Sequence, residues 1–262
     1  MDTSMSQSSD FNPQPAADLL THSRLGAGPR PAELPASLRP GNAAQAYAVQ
    51  DRVVEARGPI AGWKVGALSP DAEPARAALT LDSVHVGTVV RLPAADFLVM
   101  GVEAELVFQC LADLPARDDP YTLDEVRIAF GPAHAGIEVC DTRFATWGGQ
   151  SVWSRLADQA CHGALVVGSG LDECRPVDVM RQPVRLEVNG GTVVSHEAGG
   201  NPSGEPLRLL VWLANEGARN LGGLRAGHWV TTGSWTGTPM VMQGDVVVAD
   251  FPGVGHAELR LE

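Results

Sequence analysis

Lysine is all but missing from this chain: 18 of its 19 basic residues are arginine, and Lys64 is the single exception. That scarcity excludes a Walker phosphate loop, which needs Gly-Lys-Ser/Thr, because Trp63 precedes Lys64 and Val65 follows it. No G-x-G-x-x-G follows a strand-like run and no H-E-x-x-H occurs. In Gly233-Ser234-Trp235-Thr236-Gly237 the serine is one place off the position that a hydrolase elbow requires. Cysteine is sparse: Cys110, Cys140, Cys161 and Cys174 form no C-x-x-C pair, and a chain of 262 residues can bury a core without disulfide staples. A reducing, cytoplasmic compartment is therefore the expectation. No apolar run approaches the roughly 18 residues of a membrane-spanning helix. Positive charge is short as well, with 19 basic against 31 acidic residues and a formal charge of −12, so phosphate backbones and anionic lipid surfaces are repelled. Neither nucleic acid nor membrane is an expected partner.

The opening residues, MDTSMSQSSDFNPQP, carry no basic start and no apolar core, so they do not read as a secretion signal. The sequence predicts a disordered tail over 1–15 and a single catalytic domain over 16–262, split into a helical lead-in (16–60) and a β-rich core (61–262). Within the lead-in, Ala43 to Arg57 suits a helix with Asn42 as N-cap. From Gly62 onward short apolar runs are bounded by Gly, Pro and Asp, as in a series of short strands, with Val102 to Phe108 alternating most cleanly. Two helices interrupt them, one opened by Pro206 and stopped at Gly222-Gly223, the other over Ser151 to Gly163. The expected class is α+β, with a curled, mostly antiparallel sheet.

Charge placement carries the chemistry. On a strand, residues i and i+2 share a face, so Glu103 and Glu105 point one way while Val102, Ala104 and Leu106 point the other. Two adjacent carboxylates are costly to keep ionised unless a cation lies between them, and all-oxygen ligation suits a hard divalent ion. Glu138, inside the apolar run Ala135 to Cys140, is a third acid where an unpaired carboxylate is expensive. The alternative is an amphipathic strand whose glutamates simply face water. Lys64 lies in the strand-like run Ile60 to Gly66, where a compact ammonium whose pKa can shift differs from an arginine; an ordinary surface lysine is the competing reading. Arg143, in Asp141-Thr142-Arg143, is placed to pair with an acid.

The runs Gly62-Trp63-Lys64-Val65-Gly66, Val102-Glu103-Ala104-Glu105, Ile137-Glu138-Val139-Cys140-Asp141-Thr142-Arg143 and Ala157-Asp158-Gln159-Ala160, in this order, resemble the fumarylacetoacetate hydrolase superfamily. Within it they are most similar to the 2-keto-4-pentenoate hydratase and 4-oxalocrotonate decarboxylase branch, over roughly residues 40 to 262. The resemblance implies a mixed β-roll with a small helical N-terminal region, Mg²⁺ or Mn²⁺ held by Glu103, Glu105 and Glu138, Lys64 beside the substrate, and a homo-oligomer. The implied activity is addition of water to a 2-hydroxy-2,4-dienoate or 2-oxo-alkenoate in aromatic-compound degradation. Decarboxylation of a 2-oxo-diacid is the runner-up; an acylpyruvate hydrolase or an inactive β-rich binding protein follows. For that chemistry Lys64 is the candidate for carboxylate binding or proton transfer, and Asp82 and Asp158 for positioning water or shuttling protons. His162 is a candidate acid or base. The chain departs from the branch in Gln159-Ala160-Cys161-His162, in the long segment Gly200 to Pro206, and at His228.

Overall fold

A computed structural model describes residues 11–173, 177–178 and 181–262; Cys174 and the first ten residues of the expected tail lie outside them. In chain order the elements are α1 (Gln14–Arg24), α2 (Ala43–Arg57), β1 (Ile60–Gly66), β2 (Ala75–Thr80), β3 (Val84–Val86), β4 (Val89–Leu92), β5 (Gly101–Cys110), β6 (Leu114–Pro115), α3 (Leu123–Ala129), β7 (Phe130–Cys140), α4 (Val152–Ala157), β8 (His162–Gly170), β9 (Val184–Val188), β10 (Gly191–His196), α5 (Pro206–Trp212), β11 (Gly223–Leu224), β12 (Trp229–Ser234), β13 (Val246–Phe251) and β14 (Gly255–Leu261). Helix α1 starts inside the segment expected to be a tail. Asn42 caps α2 by accepting from the Gln45 N–H at 2.9 Å, as its sequence position suggests.

Seven strands form one sheet in the order β2-β1-β12-β5-β7-β8-β3, and five form another in the order β10-β9-β13-β14-β4. Most neighbours are antiparallel; β1 with β12, β3 with β8 and β14 with β4 run parallel. Alternation along β5 and β7 decides which side chains meet. Val102, Ala104 and Leu106 of β5 and Ala133, Ala135, Ile137 and Val139 of β7 pack with Leu186, Val247, Ala249 and Leu259 of the five-stranded sheet in one apolar core. The other faces of β5 and β7 carry Glu103, Glu105 and Glu138.

Helices α1, α2 and α4 make a separate apolar cluster around Leu20, Val49, Val53 and Phe144. The polar link from α2 to β2 is buried: Arg76 pairs with Asp51 at 2.9 Å and lies 4.5 Å over the Tyr47 ring. The expected helix over Ser151 to Gly163 is shorter than its sequence suggests, because α4 ends at Ala157. Gln159, Ala160 and Cys161 then take the left-handed conformation, with φ of 48°, 50° and 63°. Each such residue costs roughly 1–2 kcal/mol relative to a right-handed conformation, so the turn persists only because its surroundings hold it. Three arginines do so: Arg143 and Arg24 donate to the His162 carbonyl at 2.6 and 3.0 Å, and Arg57 reaches the Gln159 amide oxygen at 3.4 Å. Among the described residues no helix is long and apolar enough to cross a membrane.

Candidate active site

Register between β5 and β7 sets Glu103 directly opposite Glu138, and Glu105 opposite Gly136. On the other edge of β5, the pairing with β12 slips between Thr231 and Ser234. The bulge turns the Thr231 hydroxyl and the Gly233 N–H, the latter at 2.8 Å, onto one oxygen of Glu105. Gly233 adopts φ of 96°, and a Cβ there would meet the Ser203 hydroxyl at 2.8 Å, so both conformation and space call for glycine. Thr238 donates to Glu103. Strand β1 runs beside β12 with Lys64 paired to Thr231, which brings the lone lysine to the carboxylates.

Lys64 Nζ lies 2.6 Å from Glu138 Oε1 and 3.1 Å from the Ala160 carbonyl of the left-handed turn. His162 Nδ1 is 2.9 Å from the same Glu138 oxygen, and its Nε2 is 3.2 Å from the Ser83 hydroxyl. Glu138 Oε2 is buried and has no hydrogen-bond partner among the described residues. Burial alone would raise the Glu138 pKa, but Lys64 and His162 hold it well below the ordinary carboxylate value. Burial also opposes charge on Lys64, yet Glu138, followed by Cys140, Glu103 and Glu105, raises its pKa above that of a free lysine. The amine is therefore an ammonium at neutral pH. Glu105 and Glu103 move the other way: burial, reinforced by the Glu138 charge, raises both.

These features test whether a cation suits the cluster. Glu103 and Glu105 share a face of β5, burial makes both carboxylates costly to ionise, and Glu138 keeps an unused buried oxygen. A divalent ion would offset that cost and satisfy that oxygen, so the donor set fits a hard cation. Glu103, Glu138 and the thiol of Cys140 each place a ligand atom within 4.8 Å of the others.

Four of the residues singled out in the sequence besides Lys64 thus converge here: Glu103, Glu105, Glu138 and His162. Two do not. Asp158 is buried against Arg143, whose Nε and backbone N–H both donate to its carboxylate, the latter at 3.0 Å, with Thr142 also within 3.3 Å. Asp82 is exposed and pairs with Arg57 and, at 2.5 Å, with the Thr80 hydroxyl. Sequence reasoning passed over Ser83, Thr231, Gly233 and Thr238. Of these only Gly233 falls in a run named from the sequence, the one that fails as a hydrolase elbow; Ser83 carried no signal.

A curled mixed-sheet scaffold holds a partly buried lysine against strand-borne carboxylates, as the resemblance to the fumarylacetoacetate hydrolase superfamily implies. No family model matches the sequence. It is 30% identical over 232 residues to a 2-keto-4-pentenoate hydratase of Paraburkholderia xenovorans LB400, covering 84% of each chain. It is 31% identical over 160 residues to the TodF product hydratase of Pseudomonas putida F1, covering 61% of this chain and 58% of that one. Among solved structures, 4-oxalocrotonate decarboxylase from Pseudomonas putida G7, complexed with magnesium and adipate, superposes with a TM-score of 0.79 at 25% identity over 96% of this chain and 98% of the other. The chain belongs to the 2-keto-4-pentenoate hydratase family.

Proposed function

We propose that this protein is a divalent-metal-dependent hydratase that adds water to a 2-hydroxy-2,4-dienoate or its 2-oxo-alkenoate tautomer during aromatic-compound degradation. The observation that carries the reading is the Lys64 ammonium 2.6 Å from Glu138, in a cluster that also holds Glu103 and Glu105. Glu103, Glu105 and Glu138 would hold Mg²⁺ or Mn²⁺, and a bound ion supplies Lewis-acid polarisation of the substrate's C2 oxygen. The remaining steps fall to the protein. Lys64, kept protonated by its acidic neighbours, binds the substrate carboxylate or delivers a proton to the far end of the diene. His162, whose pKa burial pushes down to about 4, is neutral at pH 7 and donates its Nδ1 proton to Glu138, fixing that carboxylate's orientation.

Asp158 acts as a positioning residue in this scheme: with Arg143 it holds the left-handed turn that presents the Ala160 carbonyl to Lys64. Asp82, in its exposed ion pair, fixes the turn that carries Ser83 to His162. The whole described chain from α1 to β14 forms one catalytic unit, a β-roll with helices at its N-terminal end. A cytoplasmic homo-oligomer acting on a small 2-oxo or 2-hydroxy acid completes the reading, in keeping with free thiols at Cys110, Cys140 and Cys161.

Loss of CO₂ from a 2-oxo-diacid is the second reading, favoured by the structural likeness to 4-oxalocrotonate decarboxylase. Both reactions need a stabilised enolate, so the scaffold suits either. Incubation of the protein and Mg²⁺ with a panel of 2-hydroxydienoates and oxo-diacids, followed by mass analysis, separates them. A product heavier by one water supports hydration, release of CO₂ supports the second reading, and no turnover of any panel member refutes both.

A further inference from the structure

Cys140 has no role in the scheme above. It is buried, it is two residues beyond Glu138 on β7, and strand alternation puts both side chains on one face. Its sulfur lies within 4.8 Å of ligand atoms on Glu103 and Glu138. Its register partner on β5 is Gly101, which contributes no side chain to separate the thiol from Glu103. Glu138 Oε2, buried and without a partner among the described residues, supplies a second donor already stripped of water.

Sulfur and oxygen donors sort divalent ions differently. A hard ion such as Mg²⁺ takes carboxylate oxygens and leaves a neutral thiol as a spectator. Zn²⁺ or Co²⁺ gains a bond to thiolate, with the thiol proton released to solvent as the sulfur–metal bond forms. We propose that Cys140 is a metal ligand of this site, so that with Glu103 and Glu138 it forms a mixed oxygen–sulfur centre that takes up thiophilic divalent ions in preference to Mg²⁺. The inference rests on Glu103 and Glu138 being metal ligands, the reading given above. It makes the cluster a point at which zinc competes with a hard activating ion.

Cobalt reports the bond directly, because a thiolate–Co²⁺ pair absorbs in the near ultraviolet and a carboxylate–Co²⁺ pair does not. The metal-free full chain is titrated with Co²⁺ by absorption, and with Zn²⁺ and Mg²⁺ by calorimetry, as wild type, Cys140→Ser, Cys140→Ala and Cys161→Ala. The expected result is a charge-transfer band in wild type and Cys161→Ala that is lost in both Cys140 variants. Zn²⁺ affinity should fall at least roughly tenfold in those variants while Mg²⁺ affinity is unchanged. Co²⁺ that binds the wild type without the band overturns the inference and spares the carboxylate site; this arm needs no variant to fold. A band that survives Cys140→Ser and vanishes in Cys161→Ala overturns it as well. If neither Mg²⁺ nor Co²⁺ binds, the carboxylate reading falls together with it.

Discussion

Glu103 and Glu138 face each other as direct partners across β5 and β7, two like charges on one face of a sheet whose opposite face is an apolar core. Like charges directly opposite on a sheet destabilise it. The chain tolerates the pair because Lys64 contacts one member, while the other accepts a hydrogen bond from the Thr238 hydroxyl. Such an arrangement is a poor way to stabilise a strand and a good way to hold a cation.

Glu103→Gln removes one charge of that pair. Mg²⁺ binding measured by calorimetry should be abolished, while the metal-free variant melts at the wild-type temperature or above it, since a repulsion has been relieved. Unchanged Mg²⁺ affinity would count against the carboxylate cluster as the metal site.

Lys64→Arg keeps the charge and changes the shape. The ammonium fits between Glu138 Oε1 and the Ala160 carbonyl, and a planar guanidinium is larger and does not give up a proton. Turnover should fall roughly a hundredfold or more, in line with loss of a general acid. Wild-type kcat in this variant would remove Lys64 from the chemistry.

What was legible in the sequence depended on local pattern. Asn42 ahead of an apolar helix, the alternation of Val102 to Phe108, and a glutamate inside the apolar run of β7 each state their environment through near neighbours. What was not legible depended on register and on distant partners. Ser83 contacts His162 across 79 positions, and nothing around it in sequence marks it. Asp158 sits in a family motif and so invites a catalytic role, yet it is occupied by an arginine from 15 residues earlier, and the left-handed turn that follows it is one that sequence rules assign to helix. The Thr231 to Gly233 bulge follows from the pairing of β12 with β5, which no single-strand pattern encodes.

Burial separates two aspartate pairs of similar chemistry. Asp158 and Arg143 are both buried, so Asp158→Asn leaves the buried guanidinium only Asp141, 4.0 Å away, as a counter-charge, and urea unfolding should show a loss of about 3 kcal/mol. Asp82 is 60% exposed beside Arg57, so Asp82→Asn should cost less than about 1 kcal/mol. Equal losses in the two variants would mean that the Arg143 pair is not what holds the turn after α4.

His228 gives a pH dependence away from the metal cluster. Its Nδ1 accepts from the Trp63 indole N–H and from the Arg225 backbone N–H, both at 3.2 Å, and a proton on that nitrogen would break both bonds. Burial, with Arg225 adding, lowers its pKa below the ordinary 6.5. The sign follows from which state binds the proton first. Below 6.5 the unfolded chain takes up a proton that the folded chain refuses, so this group's contribution is complete above that pH and is lost as pH falls through the lowered folded value. His228→Asn, whose side-chain oxygen accepts at any pH, should therefore lie furthest below wild type in melting temperature at pH 7 and close the gap toward pH 5. A gap that stays constant across that range would show that His228 titrates alike in the folded and unfolded chain.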